Sequence, residues 1–354
     1  MNINDLQREN IKNLKAYATA RDDFKGQAHV FLDANENNYG APLSGVDLIK
    51  NTAYNRYPDP LQLDLKDAIS KIKGVPIENT FLGNGSDEAI DILLRAFCNP
   101  GKDNIVVLPP TYGMYEVLAH LNDVEVRKVP LFPDFQPNME KIAETIDTHT
   151  KIIFLCSPNN PSGNALIRSD IETILANFKG LVVVDEAYIN YARHRSFIRE
   201  LTEYTHLVVL QSFSKAWGLA GIRLGMAFSS VPVIDIMNKV KLPYNINQAS
   251  AGLALAALQN IGIVNEQIKN TVAERERLMQ LLPTLDVVEK VFPSDANFIL
   301  VKMRDAQKTY NNLMEKGIIV RDRSAMSGCE GCLRISVGTP DENNLLLRTL
   351  TETA

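Results

Sequence analysis

The stretch that decides the fold reads SFSKAWGLAGIR (residues 212–223) and follows the apolar run LVVL (residues 207–210). An uninterrupted apolar run is typical of a strand covered on both faces, whereas in a half-exposed strand apolar residues alternate with polar ones. Three more runs of this kind occupy residues 105–108, 152–156 and 181–184. Since helical patterns at residues 139–146 and 171–178 lie between such runs, we expect an α/β domain with a mostly parallel central sheet flanked by helices.

The C-terminal third has a different pattern. Helical spacing covers residues 249–259, 263–282 and 342–352, and strand-like runs cover residues 296–301, 317–320 and 332–337. This order predicts a smaller α+β domain. We therefore predict three parts. They are an N-terminal segment (1–30) that packs on the small domain or on a partner subunit, a large domain (31–248), and the small domain (249–354).

The composition excludes several classes of protein. The chain has 354 residues, a hydrophobic content of 45% and a net charge of −5, so it can build a core and lacks the basic excess of a nucleic-acid-binding protein. Its apolar runs are too short to span a bilayer, and residues 1–20 carry charges where a secretion signal would be apolar. We expect a cytoplasmic protein without membrane or nucleic-acid partners.

The cysteines indicate neither a disulfide scaffold nor a metal centre. The chain has four, Cys98, Cys156, Cys329 and Cys332, which are too few for a disulfide framework in a protein of this length. Cys329 and Cys332 have the spacing of a metal or redox pair, but no second pair or histidine cluster accompanies them. We expect reduced thiols and no bound metal.

Lys215 lies between Ser212 and Ser214 on one side and a glycine-rich turn ending in Arg223 on the other. Hydroxyls, backbone amides and a guanidinium together bind phosphate. A lysine beside them can form a Schiff base with a phosphate ester that carries a carbonyl group. These requirements describe pyridoxal 5'-phosphate (PLP), which also needs an acidic partner for its pyridinium nitrogen.

The other predicted strand ends carry residues suited to the same ligand. Gly85, Ser86 and Asp87 begin a helix, whose amide groups form an anion site, although simple capping by Ser86 is compatible with this and is the ordinary interpretation of the motif on its own. Tyr112 could lie against a planar ring, or it could be an ordinary rim or core tyrosine. Ligands bind beyond the carboxyl ends of parallel strands, so we expect these residues to meet there.

Two more strand ends carry an amide and a carboxylate. Asn160 follows one apolar run and could donate a hydrogen bond to a phenolic oxygen, or it could serve only a rigid turn. Asp185 follows the next run, where a buried carboxylate needs a cation or donors. A pyridinium nitrogen is such a cation, and helix capping is the alternative.

Several motifs carry a resemblance to a known family: NLKAY (13–17), LDANEN (32–37), YNRYP (54–58), and residues 85–88, 157–163, 185–188, 212–223, 320–322 and 333–338. With these the chain resembles the fold-type I PLP-dependent transferases of the class I and II aminotransferase group. Within that group it is similar to the histidinol-phosphate aminotransferase family over essentially its whole length. It departs from the family pattern at Ala16, Asn38 and Trp217, where proline, proline and phenylalanine are the commoner residues.

The resemblance implies roles for the cofactor-binding residues. Lys215 would form the Schiff base and move the proton, Asp185 would keep the ring nitrogen protonated, and Tyr188 would act with Asn160 on the 3'-oxygen. Tyr112 would stack on the ring. The residues implied for the phosphate are Gly85, Ser86, Asp87, Ser212, Ser214, Arg223 and, from the other subunit of a homodimer, Tyr57.

The resemblance also implies the substrates. The implied substrate-binding residues are Tyr17, Asn35, Asn160, Arg321 and Arg334. The implied reaction is ping-pong transfer of an amino group between L-histidinol phosphate and imidazole-acetol phosphate and between glutamate and 2-oxoglutarate, in histidine biosynthesis. An aromatic amino acid aminotransferase and an O-phosphothreonine decarboxylase share the scaffold. A PLP-binding sensor domain of a transcription regulator is a remote alternative, because the residues before Leu32 are too few for a DNA-binding module.

Overall fold

The computed structural model describes residues 7–12, 14, 28–43 and 54–352. The strands in chain order are β1 (Val30–Phe31), β2 (Thr80–Gly83), β3 (Asn104–Val107), β4 (Glu125–Lys128), β5 (Thr150–Cys156), β6 (Leu181–Asp185), β7 (Leu207–Ser212), β8 (Gly225–Ser229), β9 (Val288–Val291), β10 (Phe298–Met303), β11 (Ile318–Ile319), β12 (Arg321–Asp322) and β13 (Cys332–Ser336). The helices are α1 (Glu9–Lys12), α2 (Leu63–Lys73), α3 (Gly85–Phe97), α4 (Met114–Leu121), α5 (Met139–Thr145), α6 (Arg168–Asn177), α7 (Val231–Val240), α8 (Gln248–Gln259), α9 (Ile261–Leu281), α10 (Ala306–Glu315) and α11 (Pro340–Glu352).

The large domain is built on a seven-stranded sheet with the order β2-β8-β7-β6-β5-β3-β4. Its strands run parallel except β8, which is antiparallel to both neighbours. The four apolar runs of the sequence form β3, β5, β6 and β7, which lie side by side inside the sheet. Val182 and Val184 pack in one core and Val183 packs in the other, because helices cover both faces. The predicted α/β fold with a mostly parallel sheet is confirmed.

The second core belongs to a four-stranded sheet with the order β12-β13-β10-β9. Its buried residues include Ile299, Leu333, Ile335 and Leu346. The short strands β1 and β11 pair in parallel beside it. This part of the chain has the α+β character that the sequence predicts.

The change from one core to the other falls later in the chain than the predicted boundary at residue 248. Helix α8, which the sequence analysis assigns to the small domain, packs Ala254 and Leu258 against the core of the large sheet. Helix α9 has 21 residues and contributes Val264 to the large core and Leu278 to the small one. Periodicity shows which face of a helix is apolar but not which core that face meets.

The described part of the N-terminal segment contacts the large domain. Asn10 in α1 donates a hydrogen bond from Nδ2 to the carbonyl oxygen of His120 in α4, at 2.7 Å. At the other end of the segment, the His29 amide donates to the Gly317 carbonyl oxygen at 2.9 Å and Val30 pairs with Ile318 of β11, beside the small-domain sheet. Tyr17 lies outside the described residues, so its role stays a prediction. Across residues 7–12, 14, 28–43 and 54–352, no helix has the length and apolarity needed to cross a bilayer.

The four cysteines are all buried and make no disulfide. Burial raises the pKa of Cys329 to about 12 and that of Cys332 to about 11, so both thiols stay protonated at neutral pH. Within the described ranges, no three histidine, cysteine or acidic residues come together as metal ligands.

Candidate active site

A cavity of about 270 Å³ opens where β5, β6 and β7 end. It lies at the carboxyl edge of the parallel strands, which is where ligands of such sheets bind. The predicted site residues in its wall are Asn35, Gly85, Ser86, Asp87, Tyr112, Asn160, Asp185, Tyr188, Ser212, Ser214, Lys215, Arg223, Arg321 and Arg334. Residues that are far apart in the sequence therefore meet in one site.

Asp185 is the last residue of β6 and is only 3% exposed. Its Oδ2 accepts a hydrogen bond from Tyr115 Oη at 2.7 Å, and its Oδ1 accepts one from the Ala187 amide at 3.1 Å. Burial raises the pKa of Asp185 to about 6, and the Tyr115 bond acts against this rise. No cationic side chain of the described residues lies within ion-pair distance, so a protonated ring nitrogen would stabilise this carboxylate.

Tyr115 is a site residue that the sequence analysis missed. It is fully buried, its ring stacks on Phe154 at 4.7 Å between centroids, and it meets Tyr112 edge-on at 5.5 Å. Its bond to Asp185 restrains the carboxylate, as the supporting residues of a functional site do. Its position three residues after Tyr112, at the start of α4, is the one sequence signal that could have indicated it.

Lys215 follows β7 and donates a hydrogen bond from Nζ to the carbonyl oxygen of Ala34 at 3.0 Å. Burial and, after it, the positive charge of Arg334 lower the pKa of Lys215 to about 8. A lysine with such a pKa has a substantial neutral fraction near neutral pH. It is therefore suited to nucleophilic attack and to proton transfer.

The start of α3 forms an anion site with Arg223. Gly85 has a φ of 72°, and a Cβ added there would lie 2.7 Å from Arg223 Nη2, so glycine leaves this space open. The Gly85 amide donates to the Arg223 carbonyl oxygen at 3.0 Å, and Arg223 Nη2 lies 3.5 Å from Asp87 Oδ2. Ser212 and Ser214 lie on the same wall. A helix N-terminus, two hydroxyls and a guanidinium make a phosphate site.

Two hydrogen-bonded side-chain pairs also line the cavity. Arg334, which is 4% exposed, donates from Nη1 to Asn160 Oδ1 at 2.7 Å. Asn35 donates from Nδ2 to Tyr188 Oη at 3.1 Å. Burial raises the pKa of Tyr188 to about 12, so its hydroxyl keeps its proton at neutral pH. Tyr188 is therefore available as a hydrogen-bond donor.

Arginines accumulate on one face of the small-domain sheet. The register places Arg321 of β12 directly opposite Arg334 of β13. Arg323 also lines the cavity, and its amide continues the ladder to Cys332 at 2.9 Å, so it lies on the same face as Arg321. Arg323 was not among the predicted site residues. Like charges directly opposite each other destabilise a sheet, and a bound anion removes this penalty.

Tyr57 does not reach the cavity of its own chain. It is 81% exposed, and its ring stacks on Tyr244 at 4.6 Å between centroids. This exposure is compatible with the predicted role in the site of a neighbouring subunit, which stays a prediction.

The wall residues fit PLP on three counts. The anion site suits its phosphate, the buried carboxylate of Asp185 suits its ring nitrogen, and Lys215 has the lowered pKa that covalent attachment requires. Tyr188 and Asn160 also line the cavity and suit its phenolic oxygen.

The family model for aminotransferase class I and II matches residues 27–350. A histidinol-phosphate aminotransferase of Parabacteroides distasonis is 51% identical over 348 residues, and the match covers 98% of each chain. One of Bacteroides thetaiotaomicron is 52% identical over 349 residues, with the same coverage. A crystal structure of histidinol-phosphate aminotransferase from Sinorhizobium meliloti in complex with PLP aligns with a TM-score of 0.86 at 22% identity, over 98% of this chain and 97% of that one. This last similarity shows the fold.

Proposed function

Because the chain belongs to the class I and II aminotransferases, we propose that it uses PLP to move an amino group from glutamate to imidazole-acetol phosphate, in the cytoplasm. The products are 2-oxoglutarate and L-histidinol phosphate, and the step serves histidine biosynthesis. Relatives named for this reaction share about half of their residues with the chain along nearly its whole length.

Four of the cavity residues have proposed roles in this reaction. When bound, PLP supplies an electron sink for the carbon that loses a proton. Asp185 would keep the ring nitrogen protonated, and Tyr188 and Asn160 would hold the phenolic oxygen. Lys215, once free, would take the proton from the carbon that carries the amino group and later return it.

The arrangement of the arginines carries the choice of substrates. Histidinol phosphate has a phosphate, and glutamate has two carboxylates, so both must be bound as anions in the same cavity. Arg321 and Arg334 lie directly opposite each other there, and a planar guanidinium binds carboxylate and phosphate alike. An aminotransferase for neutral aromatic amino acids has less use for a second guanidinium.

We expect kcat/KM for histidinol phosphate to exceed that for phenylalanine by roughly a hundredfold or more, if one charge-assisted pair contributes about 3 kcal/mol. Arg321→Ala should remove most of this preference while leaving kcat/KM for phenylalanine nearly unchanged. Arg193→Ala is the matched control, because Arg193 pairs with Glu276 on the surface. Equal efficiency with both amines in the unmodified enzyme would favour the aromatic aminotransferase, and carbon dioxide release from O-phosphothreonine would favour the decarboxylase.

We also propose that the enzyme is a homodimer with shared sites. Several large apolar side chains are exposed near the start of α2 and before α8: Tyr54, Tyr57, Leu61, Leu63, Leu242 and Tyr244. A cluster of this kind marks an interaction surface. Its inclusion of Tyr57, the residue predicted to reach the neighbouring site, favours a second copy of the chain as the partner.

Mixing Lys215→Ala chains with Tyr57→Ala chains should restore activity. In a mixed dimer one site carries both defects and the other carries neither. At equal mixing half of the dimers are mixed, so about a quarter of the parent activity should return. Mass spectrometry of the mixture checks subunit exchange. If exchange is complete and activity stays absent, Tyr57 does not act across subunits.

A further inference from the structure

Three buried polar side chains form a hydrogen-bonded series behind the cavity. Ser336 Oγ donates to Asn35 Oδ1 at 3.1 Å and accepts from the Asn35 amide at 2.9 Å. Asn35 Nδ2 donates to Tyr188 Oη at 3.1 Å. Ser336 and Asn35 are each 1% exposed, and Tyr188 is 5% exposed. The series therefore runs from the small-domain strand β13 to the large-domain segment that follows Asp185.

In the structure each donor of this series has an acceptor, whereas turning the Asn35 amide over would remove Oδ1 as the acceptor of the Ser336 hydroxyl proton. The Asn35 amide occupies one lone pair of Ser336 Oγ, and the hydroxyl proton of Ser336 is directed to Asn35 Oδ1. The side-chain NH₂ group of Asn35 must then face Tyr188, and an NH₂ group can only donate. Tyr188 Oη must accept this bond, so its own proton points elsewhere. Within the described residues that proton has no acceptor, although Tyr188 lines the cavity.

We propose that Ser336 is a positioning residue that, acting through Asn35, directs the hydroxyl proton of Tyr188 into the cavity and onto the phenolic oxygen of the cofactor. The proposal rests on the PLP assignment above but not on the identity of the amino donor or acceptor. Without Ser336, the Asn35 amide can turn its oxygen toward Tyr188 and draw the proton away from the cavity.

The surrounding backbone holds the series in place. Asn35 has a φ of 53°, in the left-handed region, and its carbonyl oxygen accepts a hydrogen bond from Asn297 Nδ2 at 3.0 Å. The Ser336 amide donates to the Leu32 carbonyl oxygen at 2.9 Å. Both ends of the Ser336–Asn35 pair are thus fixed by the backbone, so orientation of the amide depends on the serine hydroxyl.

The test is a pH titration of the visible absorbance of the PLP-loaded protein. A donor to the phenolic oxygen stabilises the more negative, deprotonated form of the bound cofactor, so a weaker donor raises the midpoint of the transition. Ser336→Ala should raise the midpoint by about half to one pH unit, and Tyr188→Phe should raise it at least as far. Ser336→Thr keeps the hydroxyl and should restore the parent value.

The decisive comparison is the double variant. If Ser336 acts through Tyr188, adding Ser336→Ala to Tyr188→Phe produces no further shift. Ser229→Ala is the control, since Ser229 is buried and donates to a backbone carbonyl outside the cavity; it should leave the midpoint unchanged. Ser336→Cys, which preserves volume, replaces Ser336→Ala if the alanine variant does not fold. The proposal is overturned if Ser336→Ala leaves the midpoint unshifted, or if it shifts the midpoint equally in the parent protein and in the Tyr188→Phe variant. Lack of visible absorbance in the unmodified protein would instead refute the PLP assignment.

Discussion

Replacing Lys215 by alanine is expected to lower kcat for transamination by roughly 10⁴-fold or more, because both covalent attachment and proton transfer depend on its amine. The low pKa, about 8, makes this amine the reactive one in the cavity. Steady-state kinetics measure the loss. Borohydride reduction followed by peptide mapping should place the cofactor on Lys215 in the parent enzyme and show no modified peptide in the variant.

Lys66→Met is the matched control for this experiment. Lys66 is 6% exposed, and burial lowers its pKa to about 8 as well, but it lies on α2 and does not line the cavity. The substitution should leave kcat within a few-fold of the parent. A cofactor adduct on Lys66, or near-normal turnover by Lys215→Ala, would contradict the assignment of Lys215.

Asp185→Asn is expected to retain the cofactor and to lower kcat by roughly a thousandfold, which corresponds to about 4 kcal/mol in the barrier. An amide cannot keep the ring nitrogen protonated, so negative charge at the reacting carbon is no longer stabilised. Absorbance of the purified protein reports occupancy, and steady-state kinetics report turnover.

Glu186→Gln provides a close comparison. Glu186 is the next residue, is 1% exposed, and burial also raises its pKa, but its carboxylate bonds to Ser196 and Gln211 away from the cavity. This variant should stay within about threefold of the parent kcat once its folded fraction is measured. Equal losses in the two variants would mean that burial of a carboxylate, and not contact with the ring, explains the effect of Asp185→Asn.

Much of the site could be predicted because its residues follow recognisable strands. Asp185 comes directly after one uninterrupted apolar run and Lys215 shortly after another, and parallel strands bring their carboxyl ends to one edge of the sheet. The family motifs then indicated which of the polar residues would line the cavity. For these residues, the local sequence around each strand end was enough to predict a position in the cavity wall.

Other features depend on contacts that sequence patterns do not contain. The Ser336–Asn35 bonds join residues 301 positions apart, and the Tyr115–Asp185 bond spans 70 positions. Arg323 lines the cavity because of the register between β12 and β13. Strand β12 has only two residues, which are too few to show an alternation of polar and apolar side chains in the sequence. Helix α8 packs against the large core and not the small one, which periodicity could not indicate because it does not show which core an apolar face meets.

Strand β13 also connects the packing of the small domain to the choice of substrate. Its side chains alternate, so Leu333 and Ile335 lie in the small-domain core while Arg334 faces the cavity. Because Leu346 shares that core with Leu333 and Ile335, we expect a change of volume at Leu346 to shift the five-residue strand and with it the Arg334 guanidinium. If Arg334 binds substrate as proposed, evolutionary drift in the small-domain core would alter amine preference, and libraries for new specificities should include that core as well as the cavity wall.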